Sequence, residues 1–203
     1  MTDLPRYSEL PRTAAGVPSP WGLFGEDDNL GLINLLTPER VLAAAGLVRR
    51  GAMFRLDTPL DTVDIPFAPH RGQPRHTVIH APGTLIFDDV IDNVYLQATS
   101  QWDSLGHYGY MPDAFYNGAT EDDVASGRRN TIEHWAAHGI AGRAVLLDIP
   151  RTWAAAGREF RPERPIPLRV ADLQQACEFS GVELSTGDIV LLRTGYLPWY
   201  LEQ

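Results

Sequence analysis

A mixed α/β fold built around a central sheet is the class this sequence predicts, and three observations carry the prediction. Two continuous apolar runs of strand length, Ala144-Val-Leu-Leu-Asp-Ile149 and Asp188-Ile-Val-Leu-Leu-Arg193, read as strands covered on both sides. Between them, Val170, Leu173, Ala176, Cys177 and Ser180 recur at helical spacing, with Gly181 as the stop. Ahead of both, short runs rich in β-formers alternate with turn residues and read as β-ribbons. Strands alternating with helices after such ribbons are the pattern of helices packed on one sheet.

Taken in order, residues 1–37 carry Pro5, Pro11, Pro18 and Pro20 and read as an extended arm that wraps a surface. Residues 38–203 then form a single α/β domain. Within the arm, Trp21-Gly-Leu-Phe-Gly25 precedes Glu26-Asp-Asp-Asn29, a solvated acidic turn or a cation site. The first helix has Thr37 as N-cap, Pro38 in the first helical position and Glu39 at the positive end of the dipole. Val41, Leu42, Ala45 and Val48 make its apolar face, Arg49 and Arg50 its last turn, and Gly51 its end. Met53–Leu56 reads as a strand, and the Pro-rich residues 57–75 as a flap near a site.

His76-Thr-Val-Ile-His80 alternates as a short strand with both imidazoles on one face, lining a pocket or facing water. Ala81-Pro-Gly83 is a turn. Leu85–Phe87 and Val94–Leu96 read as strands flanking an acidic turn at Asp88, Asp89 and Asp92. Residues 108–130, with Tyr108, Tyr110, Phe115 and Tyr116 among glycines, read as a packed wall. That wall lines a substrate pocket or fills space over the core. A short helix is expected over Ile132–Ala137, stopped by Gly139. Asp148, polar at the end of an apolar run, either serves a site or caps the next turn.

Composition removes several function classes. The formal net charge of −9, with 17 scattered basic residues, argues against nucleic acid, whose phosphates need clustered Lys and Arg. Apolar runs stay well short of the ~20 residues that span a bilayer, so a membrane role is not expected. The first residues lack a basic start and apolar segment. Cys177 stands alone, which excludes an internal disulfide, fits a reducing compartment, and together with the missing signal points to the cytoplasm. There is no Gly-rich phosphate loop, no Gly-x-Ser-x-Gly elbow and no cysteine pair at zinc spacing.

The densest set of potential ligands runs from Gln97 to His107: Gln-Ala-Thr-Ser-Gln-Trp-Asp-Ser-Leu-Gly-His. A strand delivering Gln97 and turning at Thr99-Ser100 would aim Gln101, Asp103 and His107 into one cavity. If Trp102 opens a helix, Asp103 and His107 stand i,i+4 on one face, where a carboxylate and an imidazole can meet the same ion or substrate. The alternative is that the two simply pair on a helix surface.

These stretches resemble the cyclase family, the group that includes bacterial kynurenine formamidase and isatin hydrolase. The resemblance runs through Trp21-Gly22, Asn34–Glu39, Gln97–His107, Gly139–Arg143, Val145–Asp148 and Gly187–Gly195. The formamidase pattern His-x-Gly-Thr-His-x-Asp-x-Pro-x-His places Gln97 and Gln101 where the family has histidines. Asp103 falls at the metal-bridging carboxylate and His107 at the last, catalytic histidine. The Gln-Trp-Asp variant looks like the larger, less characterised branch.

The resemblance implies a swivelling β/β/α fold and a divalent metal held by Asp103, Gln101 and Gln97. It implies a hydrolase opening an amide or formamide bond of a small molecule, as an arylformamidase does in tryptophan catabolism. Trp102, Tyr108 and Tyr110 would accept an aromatic substrate. Amide oxygens in place of imidazoles favour Mn²⁺ or Mg²⁺ over Zn²⁺. The family takes further His and Glu ligands from its C-terminal third, whereas no histidine follows His138. A C-terminally shortened domain is therefore expected, with a catalytically silent, metal-free binding or assembly module as the alternative. Family members assemble as homo-oligomers, and the Trp- and Pro-rich arm would suit a subunit contact.

Overall fold

The computed structural model describes residues 4–13, 16–63 and 68–203. In chain order the regular elements are α1 (Pro38–Ala45), β1 (Arg75–His80), β2 (Phe87–Asp92), α2 (Glu121–Ala125), α3 (Ile132–His138), β3 (Ala144–Asp148), α4 (Ile149–Ala155), α5 (Val170–Ser180), β4 (Ile189–Arg193) and α6 (Tyr196–Tyr200). Short 3-10 turns lie at Tyr7–Glu9, Gly31–Leu35, Leu96–Ala98 and Tyr116–Gly118. The chain forms two compact units, one of Met1–Asn29 with Arg50–Trp135, the other of Leu30–Arg49 with Ala136–Gln203. The mixed α/β class expected from the apolar runs is what the molecule adopts. No helix among the described residues is long and apolar enough to cross a membrane.

The second unit holds the apolar core. β3 and β4 pair in parallel, Ala144 opposite Ile189 through Asp148 opposite Arg193, with α4 and α5 between them in sequence. Val145, Leu147, Ile149, Trp153 and Ala176 are buried together, with Phe160, Ile166, Leu168, Leu173, Cys177 and Val182 packed around them. β3 was expected to be covered on both sides. Instead burial alternates along it, and Leu146 is 55% exposed, so the described residues cover one face.

Polar groups fix this unit's register. Asp148 is the N-cap of α4: its carboxylate accepts from the Arg151 backbone N–H at 3.1 Å and from the Arg193 guanidinium at 3.0 Å. The capping alternative for Asp148 is thus the one realised. Asp188, its side chain almost wholly buried, accepts from Ser185 N at 2.6 Å and Arg143 Nη1 at 3.0 Å. Arg143 also donates to Glu183 O at 3.0 Å, which ties the starts of β3 and β4 together. Asp172 caps α5 through Arg169 N at 2.8 Å and pairs with Arg158 at 2.8 Å. Those donors, the backbone N–H first, hold its carboxyl below the usual range. α5 ends where expected, on Gly181 at φ 63°.

In the first unit, β1 and β2 form an antiparallel ribbon exposed along both strands, Arg75 opposite Asp92 and His80 opposite Phe87. His76 and His80 do share a face: His76 Nε2 meets Asp89 Oδ1 at 2.5 Å, and His80 stacks on Phe87 at 4.5 Å. The strand boundaries differ from expectation. Asp88, Asp89 and Asp92 lie inside β2 rather than in a turn, and Val94–Leu96 leads into a 3-10 turn. Met53–Leu56 forms no strand, and α1 ends at Ala45 rather than at Gly51. Residues 64–67 of the expected flap lie outside the described residues.

The 108–130 wall is packed by hydrogen bonds to the arm. Asn117, at φ 56°, accepts from Gly22 N at 2.7 Å and donates to Gly25 O at 2.7 Å. Tyr116 donates to Asp28 Oδ2 at 2.9 Å; burial and that carboxylate push its phenol far above the usual range. α2 opens with a capping box in which Thr120 and Asp123 exchange bonds at 3.2 and 3.1 Å.

Two outcomes follow. Leu147→Ala should cost about 2–5 kcal/mol in urea unfolding, because it opens a cavity among fully buried neighbours. Asp123 is lowered from 3.8 to about 2 by the Thr120 backbone and hydroxyl and then Arg128. Its stabilisation is complete above the unfolded pKa and lost as pH falls from about 3.8 toward about 2. Asp123→Asn should therefore flatten the melting temperature between those pH values, while leaving its slope above pH 5 unchanged.

Candidate functional site

Gln97–His107 leaves the ribbon through a left-handed residue. Asn93, at φ 59°, ends β2, and its amide donates to Gln73 O at 2.8 Å, which turns the chain back. The 3-10 turn Leu96–Ala98 follows, and Arg71 Nη1 donates to Gln97 O at 2.8 Å. Thr99 is fully extended, and Ser100 Oγ takes the Thr58 backbone N–H at 3.0 Å. Residues 101–104 run without regular structure, and His107 N closes a turn on Ser104 O at 3.1 Å.

Trp102 therefore opens no helix. A turn, rather than a helical face, brings Asp103 and His107 together: His107 Nε2 lies 3.9 Å from Asp103 Oδ1. The pair is open to solvent, with side chains 51% exposed at Asp103 and 34% at His107. Gln101 joins it, donating from Nε2 to Asp103 Oδ1 at 2.7 Å. Gln97 is fixed through its backbone carbonyl, and no bond links its amide to the other three among the described residues.

The aromatic residues divide. Trp102 is half exposed and meets Trp135 edge-to-face at 6.3 Å, which fixes its indole plane. Tyr110 is engaged elsewhere: its hydroxyl is 3.1 Å from Thr13 Oγ1 and its ring 6.3 Å from Trp21. Tyr108, at 87% exposed, faces solvent. The expected aromatic trio is thus one ring beside the pair, one held by the arm and one in water.

A divalent ion can be tested against this geometry. An ion held by Asp103 could keep its water beside His107 Nε2, which lies 3.9 Å from the same carboxylate oxygen. Among the described residues no group of three or more His, Cys, Asp or Glu side chains stands ready for a metal. The pair accordingly fits a hard ion that keeps several waters, the habit of Mg²⁺, better than a closed zinc shell. Gln101 presents its amide N–H₂ to Asp103, so it orients the carboxylate; turning the amide over would offer its oxygen.

Sequence reasoning missed Asn130. Its backbone O accepts from Gly106 N at 2.7 Å, directly before His107, and it is fully buried. In the sequence it is one polar residue after Arg128-Arg129, and only its left-handed φ of 62° marks it in the fold.

The comparisons agree with this architecture. The chain is similar to a solved structure described as that of a novel cyclase, at 32% identity and a TM-score of 0.79. The likeness covers 91% of this chain and 65% of that one, so the chain spans about two thirds of that protein's length. No curated protein matches the sequence. The Cyclase family model matches residues 54–202, a span that runs from before the β-ribbon through the Asp103–His107 pair to α6. With that much of its length matched, the chain belongs to the Cyclase family.

Proposed function

We propose that this chain carries the site of a metal-dependent hydrolase that opens an amide or formamide bond in a small, aromatic substrate, in the manner of an arylformamidase. The observation that supports the reading is the Asp103–His107 pair, 3.9 Å apart and open to solvent, in a Cyclase-family chain. Asp103 would hold the ion, with Mn²⁺, Mg²⁺ or Zn²⁺ as candidates and Gln101 and Gln97 as weaker oxygen donors, while His107 would stay free of it to act as the base. When bound, such an ion supplies positive charge that makes a neighbouring water more acidic.

The chain's own groups do the rest. Gln101 holds the Asp103 carboxylate in one rotamer through its 2.7 Å bond. His107 Nε2 faces that carboxylate and would take a proton from water and return it to the leaving nitrogen. Trp102, clamped by Trp135, offers a flat apolar surface for an aromatic ring. Tyr110, held by Thr13, would form a fixed wall, and Tyr108 would close over substrate only by moving. A homo-oligomer working in the cytoplasm on tryptophan-derived formamides belongs to the same reading.

A second reading has its own support: glutamines stand at two positions where the family pattern has histidines, and the described residues bring no third acidic or imidazole ligand to the pair. On that reading the chain is a metal-free binding or assembly module.

Thermal shift with Mn²⁺, Mg²⁺ and Zn²⁺ separates the two. The hydrolase reading expects a metal-dependent rise in melting temperature that Asp103→Ala abolishes, since a ligand stabilises only the state it binds. It also expects hydrolysis of N-formyl aromatic amines to fall roughly 10²–10⁴-fold in His107→Ala. A melting temperature indifferent to all three ions, with no hydrolysis, leaves the binding module.

A further inference from the structure

We propose that Asn130 is a positioning residue for the site: buried in the 108–130 wall, it sets where the Leu105–Gly106 peptide, one residue before His107, lies, and the arm residue Asn29 acts through it. The effect on catalysis rests on the hydrolase reading; the effect on the placement of His107 does not.

Four observations on one residue carry the proposal. Asn130 is 0% exposed. Its backbone O accepts from Gly106 N at 2.7 Å, in the Leu105–Gly106 peptide one residue before His107. Its backbone N donates to Asn29 Oδ1 at 2.8 Å, and its side-chain Nδ2 donates to Tyr116 O at 2.8 Å. Its φ of 62° is a conformation that side chains rarely adopt, and asparagine is among the few that do so at low cost. Asn130 is therefore gripped from two sides, and its carbonyl is aimed by that grip.

Gly106 gives the contact its precision. A Cβ at that position would lie 2.8 Å from Val124 Cγ1 and 2.9 Å from Asn130 O, and the latter is backbone that cannot turn aside. The turn before His107 is thus seated directly on Asn130, with no room for a side chain between them. The partner on the far side is more than a hundred residues earlier in the sequence. Asn29 donates its own Nδ2 to Asp27 O at 2.8 Å, which leaves its Oδ1 facing the Asn130 N–H. The acidic turn of the arm, read from the sequence as a solvated turn or a cation site, so becomes the outer anchor of the His107 turn.

A misplacement of about 1 Å at a reacting group costs on the order of 10²-fold in rate, so a peptide set by one short bond is a sensitive point. Two variants separate anchoring from general stability. Asn29→Ala removes the acceptor for Asn130 N; Asn29→Asp keeps an oxygen there.

The readout independent of activity is the imidazole ¹H–¹³C signal of His107 at one fixed pH, assigned by its loss in His107→Gln. In the native chain Asp103→Asn should shift that signal, because the two side chains face each other. In Asn29→Ala the His107 signal should move and lose its response to Asp103→Asn, and in Asn29→Asp both should return. Where the native chain hydrolyses a formamide, Asn29→Ala should lower kcat roughly 10–100-fold with KM within about twofold, and Asn29→Asp should recover most of it. A native chain without hydrolysis removes the function proposed above and leaves the signal test in force. Should Asn29→Ala fail to fold, Gly106→Ala is read in the same way, because it pushes on the same contact from the other side. A folded Asn29→Ala or Gly106→Ala chain whose His107 signal stays in place and still answers to Asp103→Asn overturns the proposal.

Discussion

Side-chain amides, rather than apolar packing, hold the unit that carries the candidate site. Among its described residues Ala119 is the buried hydrophobic side chain, whereas Asn130 and Ser19 are buried polar ones. Asn117 makes bonds to Gly22, Gly25, Glu26 and Asp28, and Asn130 links Asn29, Tyr116 and Gly106. Such bonds contribute only about 0.5–1.5 kcal/mol each, yet a broken one leaves a buried donor or acceptor exposed to a larger penalty. A structure kept by direction-dependent bonds holds a few atoms accurately without needing a large core. That would suit a loop that has to keep one carboxylate and one imidazole in fixed relation, as the proposed function requires.

The second unit works by the opposite rule, and this difference explains what the sequence made legible. β3 and α5 bury apolar groups with a regular period, so the run at Ala144–Ile149 and the stop at Gly181 were readable locally. The run at Asp188–Arg193 does form a strand, but β4, expected to be covered on both sides, holds no fully buried residue among the described residues. The one-sided cover of β3 was not readable, since an apolar run does not say how many faces are packed. In the first unit the period fails. β2 contains Asp88, Asp89 and Asp92, residues that avoid strands, because Arg75 and His76 across the ribbon pair with Asp92 and Asp89. Cross-strand charge here outweighed propensity, and it moved the expected turn into the strand. Met53–Leu56 shows the converse: β-forming residues without a partner strand stay irregular.

The site was legible in part for the same reason. Asp103 and His107 lie four residues apart, and any compact turn or helix at that spacing brings them together, so the pairing survived although the helix did not. Gln101 is within reach of Asp103 by local geometry too. Gln97, Tyr108 and Tyr110 depended on how a longer stretch of chain bends, and that bend is set by Arg71, Thr58 and the arm, which no local pattern reveals. Asn130 is the extreme case, since its significance lies wholly in contacts made across the wall.

The glutamine substitutions gain a physical sense from the hydrogen bond at Asp103. A carboxylate offers about four lone-pair positions, so accepting from Gln101 at 2.7 Å uses one and leaves the others free. A histidine in place of Gln101 would offer a nitrogen ligand; the amide instead donates to the carboxylate and holds it in place. On the hydrolase reading the lone carboxylate would have to attract a cation in a solvent-open setting, where Coulomb attraction is weakened by water. Weak, water-rich binding of a hard ion follows from that arrangement more naturally than the tight nitrogen-rich site of the formamidase pattern. On the hydrolase reading, the fixed turn on Asn130 would compensate in geometry for what the site lacks in ligands, because a cation held by few groups depends on those groups being already in place.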